Sequence, residues 1–503
     1  MIKGRIVVDR DFPISAVDKR LYGAFVEHLG RCVYGGIYEP GHPTADKHGF
    51  RQDVLALTKE LGCTIIRYPG GNFVSGYDWE DGVGPKDKRP RRLDHAWFST
   101  ETNEFGTDEF VDWCRAANVE PMLAVNLGTR GPDEARRLVE YCNVEKGTML
   151  SDRRRANGYP SPHGIKFWCL GNEMDGPWQI GHKTAQEYGR IAKESAKVMR
   201  WTDASLILSA CGSSARIMAT FGSWEYEVLD HCFDEVDFIS IHTYFRDWVD
   251  NTQHYLTCME SMDSFIKEVA AIADAVAAKR RSDKRIMLSF DEWNVWYKTR
   301  QLEDRRQPGW PVAPKLIEEV YDFQDALMVG GALIVLLNNC DRVKAASLAQ
   351  LVNVIAPIMT ETGGPAWRQT TFYPFAQAAR LAHGNVLRAR IDSPTYAAPV
   401  CKAAPYLCAS VVDDAANDRL VLLALNRHPS ESLEVTLDAR GFAGGFALAE
   451  AIELTHKDMN AVNTRANPDN VVPGSNADVR VDGATVKATL KPASWNVIAL
   501  ARK

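Results

Sequence analysis

Two glutamates carry the strongest chemical signal in this chain. One closes IKFWCLGNE, where Asn172 precedes Glu173; the other, Glu292, follows the apolar run of RIMLSFDEW. Each segment reads as a buried strand that stops abruptly at an acid. Two carboxyl groups facing each other across one bond can cleave a glycoside: one protonates the leaving oxygen, the other acts as nucleophile or as base towards water. A helix N-terminus also attracts acids, but capping does not require an asparagine just before the acid. A sugar site does, as a donor to the hydroxyl beside the reacting carbon.

Acids this far apart in the chain need an architecture that brings them together. In a parallel barrel the C-terminal ends of distant strands converge on one rim. The sequence supplies eight candidate strands: YGAFVE (22–27), TIIRYP (64–69), PMLAVN (121–126), IKFWCL (165–170), SLILSA (205–210), VDFISIH (236–242), RIMLSF (285–290) and ALIVLL (332–337). Helical periodicity lies between them, as in GFRQDVLALTKEL (49–61) and SMDSFIKEVAAIADAVAAKR (261–280). The alternation predicts a (β/α)₈ barrel over residues 19–380. A doubly wound sheet would want a Gly-rich nucleotide loop after an early strand; GNFVSGYD (71–78) lacks the Lys and Ser/Thr such a loop needs.

Near residue 380 the periodicity changes to short β-type runs: YLCASVV (406–412), RLVLLALN (419–426), LEVTLDA (433–439), DVRVDG (478–483), TVKATL (485–490) and WNVIAL (495–500). Residues 381–503 are predicted to form an all-β, jelly-roll-like sandwich. KGRIVVD (3–9) has no partner in the barrel, so residues 1–18 are predicted to supply that sandwich with an N-terminal strand.

The bulk numbers agree with a multidomain globular protein: 503 residues, 45% hydrophobic and 25% charged. Fifty-nine basic and 65 acidic residues leave a net charge of −6, and the basic runs at 86–92, 152–155 and 279–285 are separated by acidic stretches. They read as solvated loops and helix ends, with no nucleic-acid surface. The 11 cysteines include no CxxC pair and no Cys/His cluster, which predicts reduced, buried thiols. There is no HExxH and no GxSxG. The N-terminus lacks an apolar signal region and no run is long enough for a membrane span, so the expected location is cytoplasmic, with no membrane partner and short imported oligosaccharides as substrates.

The predicted strand ends gather groups that bind polyols: Glu27 and His28; Arg67 with Pro69, Gly70, Gly71 and Asn72; Asn126; Asn172 and Glu173; His242 and Tyr244; Asp291 and Glu292; Asn338 and Asn339, then Gln350. Tyr244 can hydrogen-bond a nearby carboxylate and keep it ionised. Trp97, Trp178, Trp293 and Trp296 are candidate faces for stacking on sugar.

In YGAFVEHLGRCVYGGIYEP (22–40), RYPGGNFVSGYDWEDGVGP (67–85), LGNEMDGPWQIGH (170–182), SIHTY (240–244), SFDEWNVWY (289–297) and AQLVNVIAPI (349–358), the chain resembles the α-L-arabinofuranosidases of glycoside hydrolase family 51. The resemblance covers nearly the whole chain. It implies a retaining, exo-acting enzyme on terminal α-L-arabinofuranosyl units of arabinoxylan or arabinan fragments, with Glu292 as nucleophile and Glu173 as acid and then base. Their carboxyl groups should lie about 5–5.5 Å apart, with pKa values pushed apart. It further implies that Glu27, Asn72, Asn172 and Gln350 hold the furanose, that Tyr244 supports the nucleophile and that Trp97 closes one side. No metal or organic cofactor is implied; a homo-oligomer, often a hexamer, is. The loop at 298–315 is where leaving-group preference would differ. A related hydrolase of β-linked xylose or glucose, a β-xylosidase or endoglucanase, would share both acids and differ in how closed its pocket is. A catalytically dead sugar-binding protein would usually have lost one acid.

Overall fold

A computed structural model describes residues 1–246, 251–299 and 307–503. Eight parallel strands close a barrel: β1 (Gly23–Phe25), β2 (Ile65–Tyr68), β3 (Glu120–Ala124), β4 (Phe167–Leu170), β5 (Ile207–Cys211), β6 (Phe238–Phe245), β7 (Met287–Val295) and β8 (Val343–Ala349), with β8 pairing back to β1. The short strands are buried along their whole length, as expected where helices cover a parallel sheet. Each is followed by a helix on the outside, from Gln52–Leu61 after β1 to Phe372–Leu381 after β8. Helix starts are locally encoded: Thr184 and Glu187 form a reciprocal capping box, and so do Asp322 and Asp325.

The eighth strand corrects the sequence reading. ALIVLL (332–337) lies inside the helix Phe323–Asn338, and β8 is the later, alanine-rich VKAASLA. Every residue from Phe323 to Leu337 in that helix is buried. It is wedged between β7 and the sandwich strands Leu407–Asp414 and Arg419–Asn426, so it has no polar face and no helical period to read. The wedge is tight: a Cβ on Gly330 would stand 2.5 Å from the Trp495 ring. Asn338 and Asn339, expected at the rim, end this helix instead and hydrogen-bond Ala409 O and Asp263. Gln350 does follow the true β8 directly.

The second domain is a pair of packed sheets. One runs Arg390–Asp392, Ile2–Asp9, Leu433–Arg440, Thr485–Leu490, Val479–Asp482; the other runs Pro13–Ala16, Asn385–Leu387, Leu407–Asp414, Arg419–Asn426, Ser494–Arg502, Phe446–Leu454, Gly474–Ser475. Ile2–Asp9 pairs in parallel with Leu433–Arg440, from Ile2↔Leu433 to Asp9↔Arg440, so the N-terminal strand does join the C-terminal sandwich. Ile6, Val8, Val435, Leu437, Leu422 and Ile498 fill the space between the sheets. The strand Phe446–Leu454 was not legible in sequence. Its residues, FALAEAIEL, are good helix formers, and pairing with Ser494–Arg502 overrides that preference. All 11 cysteines are free and most are buried. No helix among the described residues is long and apolar enough to cross a membrane.

Candidate active site

Glu292 owes its aim to an irregularity in β7. The register runs from Phe238↔Met287 to Ser240↔Ser289, then skips to His242↔Glu292, so β7 carries one residue more than β6. An extra residue breaks the in–out alternation of side chains. Adjacent residues Asp291 and Glu292 can then both meet the same group, Arg67 from the end of β2. Arg67 donates to Glu292 Oε1 at 2.6 Å and to Asn172 Oδ1 at 2.8 Å, and its Nε lies 3.6 Å from Asp291. The Tyr244 hydroxyl donates to Glu292 Oε2 at 2.8 Å. Burial, reinforced by Glu292 and Glu173, pushes the Tyr244 phenol well above its ordinary value, so it remains a donor.

Glu173 stands in a turn just past β4. Gly171 has φ +90° and Glu173 itself φ +43°. A left-handed backbone costs a non-glycine residue about 1–3 kcal/mol and persists only where the surroundings impose it. Here Trp178 Nε1 donates to Glu173 Oε2 at 2.7 Å and His242 Nδ1 lies 2.9 Å from Oε1. The other ring nitrogen of His242 is 3.0 Å from Asp291, and Nδ1 is also 3.7 Å from Glu292. Burial opposes a charge on His242. The charge of Glu292 and the bonds to Asp291 and Glu173 outweigh it and lift the imidazole to about 10. Asp291 shows the reverse: burial pushes it up, but Arg67 and His242 hold it below the usual aspartate range. One oxygen of Glu173, one of Glu292 and a nitrogen of His242 lie within 4.8 Å of one another. That spacing could also suit a metal ion, but as built it places an imidazole between two acids, where it can orient both.

Glu27, just past β1, is held by a separate set of donors. Its Oε1 accepts from Phe73 N–H and Trp97 Nε1, both at 2.9 Å, and its Oε2 from Gln350 Nε2 at 3.0 Å. The carboxylate lies on the Gly70–Gly71 backbone: a Cβ on Gly71 would stand 2.8 Å from Oε2, which is why the turn after β2 takes glycine. Three distant segments, 27, 72–97 and 350, are thereby tied into one enclosure.

The comparisons with known proteins bear on this geometry. Residues 57–261 match the α-L-arabinofuranosidase 1 domain and residues 291–494 the α-L-arabinofuranosidase C-terminal domain. The intracellular exo-α-(1→5)-L-arabinofuranosidase of Halalkalibacterium halodurans is 55% identical over 99% of both chains. The exo-α-(1→6)-L-arabinofuranosidase of Bifidobacterium longum is 51% identical over 99% of this chain and 97% of its own. The solved structure of AbfB, a family 51 α-L-arabinofuranosidase from Bifidobacterium longum, aligns with TM-score 0.95 at 46% identity over 99% of both chains. The chain belongs to the family 51 α-L-arabinofuranosidases. It is a glycoside hydrolase.

In this arabinofuranosidase hydrogen bonds join Glu292, Asn172 and Tyr244 through Arg67, and Glu173 with Trp178 and His242; ion pairs of His242 with Glu292 and of Arg67 with Asp291 hold the two groups together, and a further network joins Glu27, Trp97 and Gln350. Asn72 sits beside Gly71, half-buried at the start of the 3₁₀ turn Asn72–Gly76. Other expected groups stand apart. Trp293 is fully buried in the core and offers no face to a sugar. Trp296 is half-buried and packs edge-on against Tyr244. Asn126 caps its own turn, bonded to Tyr77 O, Thr129 and Gly128 N. Residues 300–306 of the expected leaving-group loop lie outside the described residues. Sequence reasoning counted Arg67, His242 and Asp291 among the sugar-binding strand ends and missed that they contact the two glutamates instead. The signal was present in Arg67, a lone cation within the apolar IIRYP run.

Proposed function

We propose that this α-L-arabinofuranosidase is exo-acting and retaining, and removes terminal non-reducing α-L-arabinofuranosyl units from arabinoxylan and arabinan fragments by double displacement. The approach of Glu173 and Glu292 carboxylate oxygens to within 4.8 Å carries this reading. Retaining pairs sit about 5–5.5 Å apart, and inverting pairs roughly 6.5–9.5 Å to admit a water. Glu292, oriented by Arg67 and Tyr244, attacks the anomeric carbon and forms a glycosyl ester while Glu173 protonates the leaving oxygen. Ester formation removes the negative charge of Glu292. Glu173 then takes a proton from the incoming water, whose attack releases arabinose with its configuration kept. Asn172 is fixed by Arg67 beside both acids, where its amide serves the hydroxyl next to the reacting carbon. Glu27, Asn72, Gln350 and Trp97 hold and enclose the furanose, and Trp178 flanks the leaving group.

The relatives named above differ in linkage, (1→5) and (1→6). We place this enzyme with the (1→5)-acting, intracellular relative, on the higher identity. Hydrolysis of 4-nitrophenyl α-L-arabinofuranoside, followed by proton NMR beside the β-D-xylopyranoside and β-D-glucopyranoside, tests the reading. Fast furanoside cleavage with the α-anomer appearing first supports it; a first-formed β-anomer, or preference for a pyranoside, overturns it. Azide should rescue Glu173→Ala and Glu292→Ala on the aryl glycoside with azido sugars of opposite anomeric configuration. The same anomer from both would overturn the role assignment.

A further inference from the structure

Glu319 is fully buried, and its carboxylate accepts four hydrogen bonds from one short stretch of chain after β7. Oε1 accepts the backbone N–H groups of Tyr297 at 3.2 Å and Lys298 at 2.7 Å; Oε2 accepts the N–H of Thr299 at 2.9 Å and its hydroxyl at 2.6 Å. The acid is itself braced. Its carbonyl accepts from Gln369 Nε2 at 2.9 Å, an amide that also donates to Ala356 O at 2.8 Å and accepts from Tyr321 N–H. Tyr321 in turn donates to Val295 O, at the end of β7, at 2.7 Å.

The Thr299 hydroxyl has one proton, and Glu319 takes it. The oxygen is left as an acceptor, and Trp296 Nε1 donates to it at 2.9 Å. The Trp296 ring meets Tyr244 edge-on, with centroids 5.5 Å apart and planes at 78°. The Tyr244 hydroxyl donates to Glu292 Oε2. An unbroken series of contacts thus runs from a buried acid outside the site to an oxygen of the attacking carboxylate.

We propose that Glu319 and Thr299 are positioning residues for the hydrolysis: they fix the indole of Trp296, and through it the Tyr244 hydroxyl and the direction of Glu292 Oε2. The carboxylate fixes the hydroxyl rotor: with the threonine proton held on Glu319 Oε2, a lone pair of the same oxygen is held towards the donor-only indole N–H of Trp296. This inference rests on the reading of Glu292 as nucleophile. It adds a part to that site which neither touches sugar nor was visible as a strand-end polar residue.

Thr299→Val tests it with little disturbance, since it removes the hydroxyl and leaves three backbone N–H bonds on Glu319. On 4-nitrophenyl α-L-arabinofuranoside the variant is expected to lose about tenfold in kcat, as small misplacements of reacting groups do, with KM and Tm close to wild type. Thr299→Ser, which keeps the hydroxyl, is expected to recover most of the loss. In a Tyr244→Phe background the same Thr299→Val change should cost less than about twofold, because residues acting through one another are not additive. Unchanged kcat in Thr299→Val, a Thr299→Ser variant as impaired as the valine, or the full tenfold cost persisting without the tyrosine hydroxyl would each overturn the relay. Failure of the nucleophile reading would show separately, in the anomers from azide rescue.

Discussion

Glu27 is the third carboxyl of the site and behaves least like an ordinary one. Burial, aided by Glu292 and Asp94 and opposed by the Phe73 N–H and the Trp97 indole, lifts it to about 8. At neutral pH it then carries a proton, which Gln350 Oε1, without a hydrogen-bond partner among the described residues, can accept once its amide turns over. An unfolded chain releases this proton near 4.5 and the folded protein only near 8, so the contribution to stability is full below 4.5 and is lost as the pH rises to about 8. Glu27→Gln lacks this dependence: its Tm should gain on wild type through that window, and parallel melting curves would show that Glu27 titrates normally. His242, lifted from 6.5 to about 10, adds a loss of the same sign at higher pH. His242→Gln removes the cation between the two acids and is expected to lower kcat by roughly 100-fold, the scale of losing one preorganised electrostatic donor, measured on the aryl arabinofuranoside. Glu27, Asn172, Glu173 and Glu292 were legible because each stands at or next to the end of an apolar run; the strand before Gln350 went unread, and the role of that amide came from the family resemblance. The pairing of His242 with Asp291 was not legible, because strict alternation sends neighbours 291 and 292 to opposite faces, and only the extra residue in β7 brings both to Arg67.

Among the elements, turns and buried helices decide what the sequence discloses. The turn after β2 needs glycine because the Glu27 carboxylate occupies the space of a side chain. Gly71→Ala should displace that carboxylate and reduce kcat/KM by about tenfold or more, with the fold intact by circular dichroism. The helix Phe323–Asn338 makes the opposite case. Gly330→Ala would drive a methyl into Trp495, and overpacking of that kind costs about 1–3 kcal/mol. The expected result is a lowered Tm with kcat close to wild type, since the contact faces the sandwich and not the site. Seven of the eight barrel strands were legible because each lies in a short apolar run bounded by turns, most of them β-branched or aromatic. The eighth was masked twice: a helix without a polar face imitated a strand, and the real strand, VKAASLA, is mostly Ala, Ser and Lys.

For the whole molecule, the barrel is not a free-standing unit. Its Phe323–Asn338 helix is buried on all sides only because the sandwich covers one of them. Residues 19–380 expressed alone should expose that apolar face and aggregate, whereas the full chain should sediment cleanly; a soluble, cooperatively melting fragment would contradict this. The composition break near residue 380 made the second domain visible in sequence, but nothing in the composition showed how firmly the two are joined. The strand Ile2–Asp9 has a further effect, which concerns time. Its parallel partner is Leu433–Arg440, so it pairs with a strand made more than 400 residues later. At about 5–20 residues per second, that edge waits on the order of half a minute or more, while the barrel between the two can already be closing. Residues 2–9 are therefore among the last to find their place, and a bulky group attached ahead of them would burden the end of folding, not its beginning.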